Sequence, residues 1–258
     1  MKVRRAVTIL LALVLIVCLG VVGWKQLDYM RGAADYSEAS QVAAVPRLET
    51  VPLPEQGEKA PPDPNFDLLT DVDLESLREV NEDVRGWICI PDTALSYPVV
   101  QCGDNQYYLN HTWKGKRSSA GAIFLEWQAS GDFSDFATLI YGHRMNNETM
   151  FGTLREYKEE EFWREHPSIY LVHDGGVCRY DIYAAFEAGI KTRVYRLTFP
   201  ERADREEFIA FGLENSALQT GVQPSPDSKI ITLSTCTGRG HATRWVVQAV
   251  LTEERQSG

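Results

Sequence analysis

The chain has 258 residues, of which 44% are hydrophobic, and its formal net charge is −10 at neutral pH. This acidity argues against nucleic-acid binding, since contact with phosphates needs a basic stripe.

The N-terminus predicts a helix that crosses a membrane. Residues 6–24 carry no charge and follow three basic residues, and a bilayer is crossed by roughly 20 apolar residues. Because basic flanks stay inside, residues 1–5 are predicted to be cytoplasmic, residues 6–24 an uncleaved signal anchor, and the remainder extracellular. A cleaved signal peptide is the alternative, but its apolar core is usually only about 7 to 15 residues. No convincing small-x-small cleavage site occurs near Trp24.

Residues 25–65 are predicted to form an extended extracellular stalk. They contain several prolines and acids but few large apolar side chains, so they bury too little surface to offset the entropy of the chain. Residues 66–258 then form one folded domain.

The predicted elements of this domain are short and are separated by turn residues. Helices are predicted over residues 73–80, 150–157, 159–165 and 202–215. Strands are predicted over residues 84–90, 121–125, 137–141, 168–173, 179–186, 229–235 and 244–251. This pattern predicts a mainly β fold, a closed β-barrel of seven to eight strands with peripheral helices, preceded by the N-terminal transmembrane helix.

A cysteine and a histidine each lie just past a predicted strand. Cys236 ends the run Thr-Leu-Ser-Thr-Cys, and His143 ends the run Tyr-Gly-His. A catalytic thiol needs a nearby base or cation to form its thiolate. Since neighbouring parallel strands would bring the two side chains together, Cys236 is a candidate nucleophile and His143 its proton-transfer partner. A buried structural cysteine is the alternative.

Arg244 begins the last predicted strand, after a loop that contains Gly238 and Gly240. A guanidinium stays protonated, so its task would be to donate hydrogen bonds to a substrate carbonyl or oxyanion. Arg239 is a rival within the same loop.

The remaining histidines are predicted to be surface or capping residues: His111, His166, His173 and His241. A zinc site built on Cys236 and His241 would need further ligands at clustered spacing, and the sequence offers no second Cys/His pair. We therefore expect neither a metal nor a cofactor.

The cysteines of the exterior part are Cys89, Cys102, Cys178 and Cys236. A disulfide between Cys236 and another cysteine would remove the candidate nucleophile. Cys89 and Cys102 flank a predicted hairpin and could pair, although their apolar settings suit free thiols as well, and free thiols are favoured.

Taken together, these motifs resemble those of the sortases. The resemblance rests on three motifs: Tyr-Gly-His at 141–143, Thr-Leu-Ser-Thr-Cys at 232–236 and Arg-Trp-Val-Val at 244–247. The run Asn-Glu-Thr-Met-Phe-Gly-Thr-Leu at 147–154 resembles their class B, and the resemblance covers roughly residues 66–252. It favours Arg244 over Arg239, since the arginine of the family opens the last strand before a Val-Val pair.

The resemblance implies a membrane-anchored cysteine transpeptidase of Gram-positive bacteria. Such an enzyme cuts a C-terminal sorting motif of a secreted protein after Thr and holds the acyl group as a thioester. It then passes this group to an amine of the cell wall or of another protein. The implied partners are secreted proteins with sorting signals, and a peptidoglycan precursor or pilin amine as the acceptor.

The resemblance also implies residues that bind substrate. In class B, the stretch Asp-Asn-x-x-Tyr-Leu lines the peptide groove, and here it begins at Asp104. The implied residues are Asn105, Leu109, Tyr195, Ser234 and Thr235. Some class B enzymes carry an acid directly after the cysteine; this chain has Thr237 there, so a role for that acid does not carry over.

Two other functions fit parts of this pattern. A membrane-anchored cysteine peptidase would hydrolyse the same thioester with water. A surface module that binds ligands without catalysis could use the same barrel, although the joint presence of Cys, His and Arg argues against it.

Overall fold

The computed structural model describes residues 2–53, 62–237 and 242–256. Its strands are β1 (Val84–Cys89), β2 (Ser96–Val100), β3 (Ile123–Leu125), β4 (Ala137–Tyr141), β5 (Ser168–His173), β6 (Gly176–Gly189), β7 (Ile230–Cys236) and β8 (Thr243–Arg255). They close into one barrel in the order β1, β2, β3, β4, β7, β8, β6, β5. The predicted β-barrel with peripheral helices is confirmed.

The helices are α1 (Lys2–Val42), α2 (Asn65–Leu69), α3 (Leu74–Val80), α4 (Glu160–Glu165) and α5 (Arg202–Asn215). The predicted helix over residues 150–157 is instead a 3-10 segment, Gly152–Lys158. Strand β6 is longer than its prediction because it pairs antiparallel with β8 along nearly its whole length, with two register shifts.

The alternation of side chains along β7 separates two hydrophobic clusters. Ile231 and Leu233 point into the cluster inside the barrel, which also contains Trp87. Ile230 belongs to an outer cluster together with Phe208 of α5. Because successive strand residues face opposite sides, β7 is buried on both faces. Full burial of each such side chain contributes about 1.5 to 3 kcal/mol.

Two strand pairings position the candidate site. Strands β4 and β7 are parallel and place Tyr141 opposite Ser234. His143 and Cys236 each lie two residues further on, so both emerge at the same end of the barrel. Strands β7 and β8 are antiparallel, and Cys236 pairs with Arg244. The expected parallel arrangement of the strands that precede His143 and Cys236 is therefore present.

The predicted stalk is wrong over residues 25–53. Helix α1 continues to Val42, and Tyr36 and Ala39 are buried in the core cluster of the barrel, followed by Leu48. The physical reason is that apolar side chains recur at helical spacing before the first proline of the region, Pro46. A helix can therefore form there and bury this apolar face. The remaining prolines fall partly on residues 54–61, which lie outside the described residues.

The first half of α1 differs from the second in its exposure. One helix of the described chain, over Val7–Val42, is long and apolar enough to cross a membrane, with a mean hydropathy of 2.8 in its most apolar window. That window is not buried against the protein, and leucines such as Leu11 and Leu15 are exposed.

All five cysteines are free thiols. Cys89 is buried, and its Sγ lies 3.9 Å from the carbonyl oxygen of Tyr170. Cys102 is partly exposed, and its Sγ lies 3.3 Å from the carbonyl oxygen of Asp104. The preference for free thiols therefore agrees with the structure.

Candidate active site

The residue directly before His143 is Gly142, and the structure has no room for a side chain there. A Cβ on Gly142 would lie 2.5 Å from the Cδ1 atom of Ile123 and 2.7 Å from the ring of Phe151. The backbone can therefore pass close to the core and then turn outward. The Nε2 atom of His143 lies 2.7 Å from the carbonyl oxygen of Leu109. Because a carbonyl only accepts, Nε2 carries a proton, and Nδ1 is left for the hydrogen bond with Cys236.

The thiol and the imidazole shift each other toward the charged pair. The hydrogen bond with Cys236 raises the pKa of His143 against the opposing effect of burial, and the carbonyl of Leu109 raises it further. The hydrogen bond from His143 lowers the pKa of Cys236 against burial, and the positive charges of Arg244 and Arg144 lower it further. A thiolate beside an imidazolium is the reactive form of a cysteine nucleophile.

Arg244 stands directly across from Cys236 in the antiparallel pair. Side chains in such pairs have Cβ atoms about 4.5 to 5.5 Å apart and share one face of the sheet. One Nη atom of Arg244 donates to the carbonyl oxygen of Thr243 at 2.9 Å. The positive charge of Arg244 lowers the pKa of Cys236, so the guanidinium lies close enough to act on the sulfur. The rival Arg239 and the histidine His241 lie outside the described residues.

The three candidate catalytic residues line one cavity of about 250 Å³. The predicted substrate residues that also line it are Asn105, Leu109, Ser234 and Thr235. Tyr195 borders this cavity through a hydrogen bond of 3.0 Å between its hydroxyl and the Oγ atom of Ser234. The structure therefore brings together side chains from five separate parts of the sequence.

Thr235 is the least expected member of this set. Its side chain is almost fully buried, yet its Oγ1 atom has no hydrogen-bond partner among the described residues. A buried hydroxyl without a partner is costly. Thr235 lines the cavity, while its Oγ1 atom is itself buried.

Glu126 supports the cavity and was not anticipated from the sequence. One carboxylate oxygen accepts from Asn105 Nδ2 at 2.7 Å and from the Tyr141 hydroxyl at 2.9 Å. The backbone N–H of Trp127 donates to the other end of the Asn105 amide at 3.0 Å. Both ends of that amide are thereby held. The only sequence signal was an acid that directly follows the apolar strand β3.

Arg144 was also missed, although it directly follows His143. Its guanidinium donates to the carbonyl oxygen of Thr237 at 2.7 Å. This bond fastens the segment after the nucleophile to the segment after the histidine. The positive charge of Arg144 also helps to lower the pKa of Cys236.

The prediction that His173 is a surface or capping residue is wrong. Its ring is buried, and Nε2 lies 3.4 Å from the Sγ atom of Cys178. The sequence did not reveal this burial because β5 has both faces covered. By contrast, His166 does cap α4, since its N–H donates to the carbonyl of Phe162.

Glu254 lies close to His173 and Cys178, and the three donor atoms are within 4.8 Å of one another. The Nδ1 atom of His173 accepts the N–H of Gly175 at 3.1 Å, so the ring proton sits on Nε2. Burial lowers the pKa of His173 and raises the pKa of Cys178 to about 12. Burial thus favours the neutral forms of the imidazole and the thiol, which pack together here.

A family model described as the Sortase domain matches residues 88–252. Among curated relatives, Sortase B of Listeria monocytogenes serovar 1/2a (strain ATCC BAA-679 / EGD-e) is 36% identical over 166 residues, which are 64% of this chain and 67% of the relative.

Solved structures agree with this match. The crystal structure of Staphylococcus aureus Sortase B superposes with a TM-score of 0.67 at 29% identity, covering 70% of this chain and 87% of that chain. The crystal structure of sortase B from B. anthracis in complex with AAEK1 gives a TM-score of 0.72 at 26% identity, covering 89% of this chain and 100% of that chain. The second superposition covers more of this chain than the first.

Proposed function

This chain belongs to the sortase family, in its class B, and is a cysteine transpeptidase; from this premise we propose which bond it cuts and where the acyl group goes. It cleaves a C-terminal sorting motif of secreted proteins after Thr and transfers the acyl group to an amine of the cell wall or of another protein. The observation that supports this most directly is the meeting of Cys236, His143 and Arg244 at one cavity.

In the first half-reaction, the Cys236 thiolate attacks the carbonyl carbon of the Thr residue, and the electron pair of the C=O bond moves to oxygen. Arg244 donates hydrogen bonds to this oxyanion. When the tetrahedral intermediate collapses, the C–N bond breaks and the His143 imidazolium gives its Nδ1 proton to the leaving amine. The product is a thioester on Cys236.

In the second half-reaction, an acceptor amine attacks the thioester carbonyl. Neutral His143 takes the proton that the attacking nitrogen loses. The second intermediate expels the Cys236 thiolate and forms a new amide bond, so the charged pair is restored. Because each amide bond is exchanged for another through a thioester, the reaction needs no external energy source.

The peptide binds along the same cavity in this proposal. Ser234, hydrogen-bonded to Tyr195, forms the floor together with Thr235. Leu109 supplies exposed apolar surface at the rim. The Asn105 amide donates one of its two Nδ2 protons to Glu126, which leaves the second for a peptide carbonyl.

Product analysis tests the proposal against a hydrolase. The purified protein is incubated with a peptide library that carries a fixed Thr, with and without an excess of small primary amines, and the products are identified by mass spectrometry. We expect amide conjugates that end at Thr whenever amine is present. A free carboxylate at Thr as the sole product at every amine concentration would identify a peptidase instead.

Arg244 offers a test of the oxyanion side. Lysine keeps the charge but loses the planar fork, so Arg244→Lys is expected to lower kcat/KM at least about tenfold, and Arg244→Ala about 100-fold or more. The thermal unfolding temperature should stay near that of wild type, because a side chain that acts on bound substrate contributes little to the stability of the unliganded protein. The matched control is Arg193→Ala, which removes only an exposed ion pair with Glu207.

Two results would contradict the role of Arg244. In the first, Arg239→Ala loses most of its activity. We expect this substitution to have almost no effect on activity, because Arg239 lies between two glycines. In the second, Arg244→Ala loses activity only because it unfolds, as thermal scans would reveal.

We also propose that residues 6–24 anchor the protein in the cell membrane as a single-pass helix, with the catalytic domain outside. The apolar surface of α1 and the basic residues before it support this orientation. The full-length protein should then sediment with membranes and be digested by protease added to wall-stripped cells. A shorter soluble form in the medium would point to signal cleavage instead.

A further inference from the structure

The second half of helix α1 docks on one loop of the barrel, residues 111–121, which we name the docking loop. Asp35 binds this loop three times. Its carboxylate accepts from Lys116 Nζ at 2.9 Å and from the Thr112 hydroxyl at 3.2 Å, and its carbonyl accepts from Trp113 Nε1 at 2.9 Å. The side chain of Asp35 is buried, so these contacts belong to a built interface.

The contacts continue along successive turns of the helix. Asp28 accepts from the N–H of Ser119 at 3.0 Å. A Cβ on Gly32 would lie 3.1 Å from the Oγ atom of Ser118, so the helix and the loop approach closely there. One turn later, the hydroxyl of the buried Tyr36 donates to the carbonyl oxygen of Gly121 at 2.5 Å.

Gly121 also lies against the candidate catalytic histidine. Gly121 is buried and has a φ of +60°. A Cβ at this position would lie 2.9 Å from the Cδ2 atom of His143 and 2.9 Å from the carbonyl oxygen of Leu109. That same carbonyl accepts the Nε2 proton of His143. Gly121 therefore fills the gap between Tyr36 on one side and the imidazole with its anchor on the other.

We propose that Tyr36 is a positioning residue for His143, acting through Gly121, and that helix α1 is a brace of the active site. The hydroxyl of Tyr36 fixes the Gly121 backbone, and this backbone holds the imidazole edge and the Leu109 carbonyl in contact. Without the hydroxyl, the buried Gly121 carbonyl loses this donor, and the docking loop relaxes away from the ring. The proposal rests on the proposed function, because its readout is the reaction.

If helix α1 positions His143, loosening it should change the pKa of His143, whereas a contact that only stabilises the fold should not. The Leu109 carbonyl contributes to the raised pKa of His143. A looser contact therefore lowers that pKa toward its ordinary value. Because His143 must be an imidazolium to protonate the leaving amine, the alkaline limb of the activity profile should move to lower pH.

The experiment compares Tyr36→Phe with Tyr29→Phe in the full-length protein in detergent micelles. Tyr29 lies on the same helix but is exposed, so its hydroxyl is a matched control. We expect Tyr36→Phe to lower kcat about fivefold or more, with KM changed less than about twofold and the alkaline limb moved to lower pH. Tyr29→Phe should match wild type.

Two outcomes would overturn the brace. One is equal activity and equal pH profiles for both variants. The other is a loss in Tyr36→Phe that follows its thermal unfolding while the pH profile does not move, since that result indicates stability alone. Cys236→Ala in the same assay separates this proposal from the proposed function. Residual turnover by Cys236→Ala would contradict the proposed function, whatever the result for Tyr36→Phe.

Discussion

Replacing Cys236 with alanine is expected to abolish peptide cleavage and amide formation. The acyl group is held on sulfur in both half-reactions, and Cys236 is the only thiol among the described residues that line the cavity. Thermal unfolding should remain near wild type, because the Cys236 side chain is partly exposed and its removal leaves little buried space. The measurements are peptide turnover by mass spectrometry and a thermal scan of the same sample.

The matched control is Cys102→Ala, which removes another partly exposed thiol that lies outside the cavity. It should retain wild-type turnover. Wild type incubated with peptide and no amine should gain the mass of the acyl group on Cys236, and Cys236→Ala should not. Appreciable turnover by purified Cys236→Ala would mean that another group is the nucleophile.

His143→Ala is expected to fall to near background activity for two reasons. It removes the proton donor to the leaving amine, and general acid catalysis typically contributes about 10² to 10⁴-fold. It also removes the hydrogen bond that is the largest cause of the lowered pKa of Cys236. The thiolate then forms only at higher pH, so the variant loses nucleophile and acid together.

Alkylation by iodoacetamide measures the second effect. In wild type, Cys236 should react at lower pH than Cys102, whose pKa is raised by burial. In His143→Ala, the pKa of Cys236 rises and the reaction of Cys236 moves toward that of Cys102. Peptide mapping follows both thiols in one sample.

His166→Ala serves as the control, because its ring contacts the carbonyl of Pro91, away from the cavity, and it should change rates only a few-fold. His241 is the remaining alternative in the sequence. If His241→Ala loses as much activity as His143→Ala, the wrong histidine has been assigned.

Local patterns carried most of the candidate site. Cys236 and His143 were predicted because each follows an apolar, strand-forming run, and Arg244 because it opens a strand after a glycine-containing loop. The predicted strand over residues 229–235 also explains why Ile231 and Leu233 lie in one hydrophobic cluster and Ile230 in the other. Such signals are readable because a strand sorts its side chains by a fixed period of two, whatever lies next to it.

Partners distant in the sequence were decided by the tertiary structure. The carboxylate of Glu126 holds Asn105, which is 21 residues away, and the hydroxyl of Tyr36 reaches Gly121 across 85 residues. Nothing near either residue in the sequence indicates its partner. The same holds for His173, whose burial depends on what covers β5, and for residues 25–53, where a local count of prolines suggested a stalk.

The sequence by itself determined the apolar N-terminal helix, the period of the strands and seven of the eight strands of the described residues, all but β2, and the strand-end positions of the thiol, imidazole and guanidinium. Only the tertiary structure decided that β4 lies beside β7, that α1 docks on residues 111–121, and that both arrangements meet at His143. The reason is physical. Secondary structure follows from the backbone and from neighbouring side chains, whereas the choice of strand neighbours and docking surfaces depends on apolar burial and hydrogen bonding summed over the closed barrel.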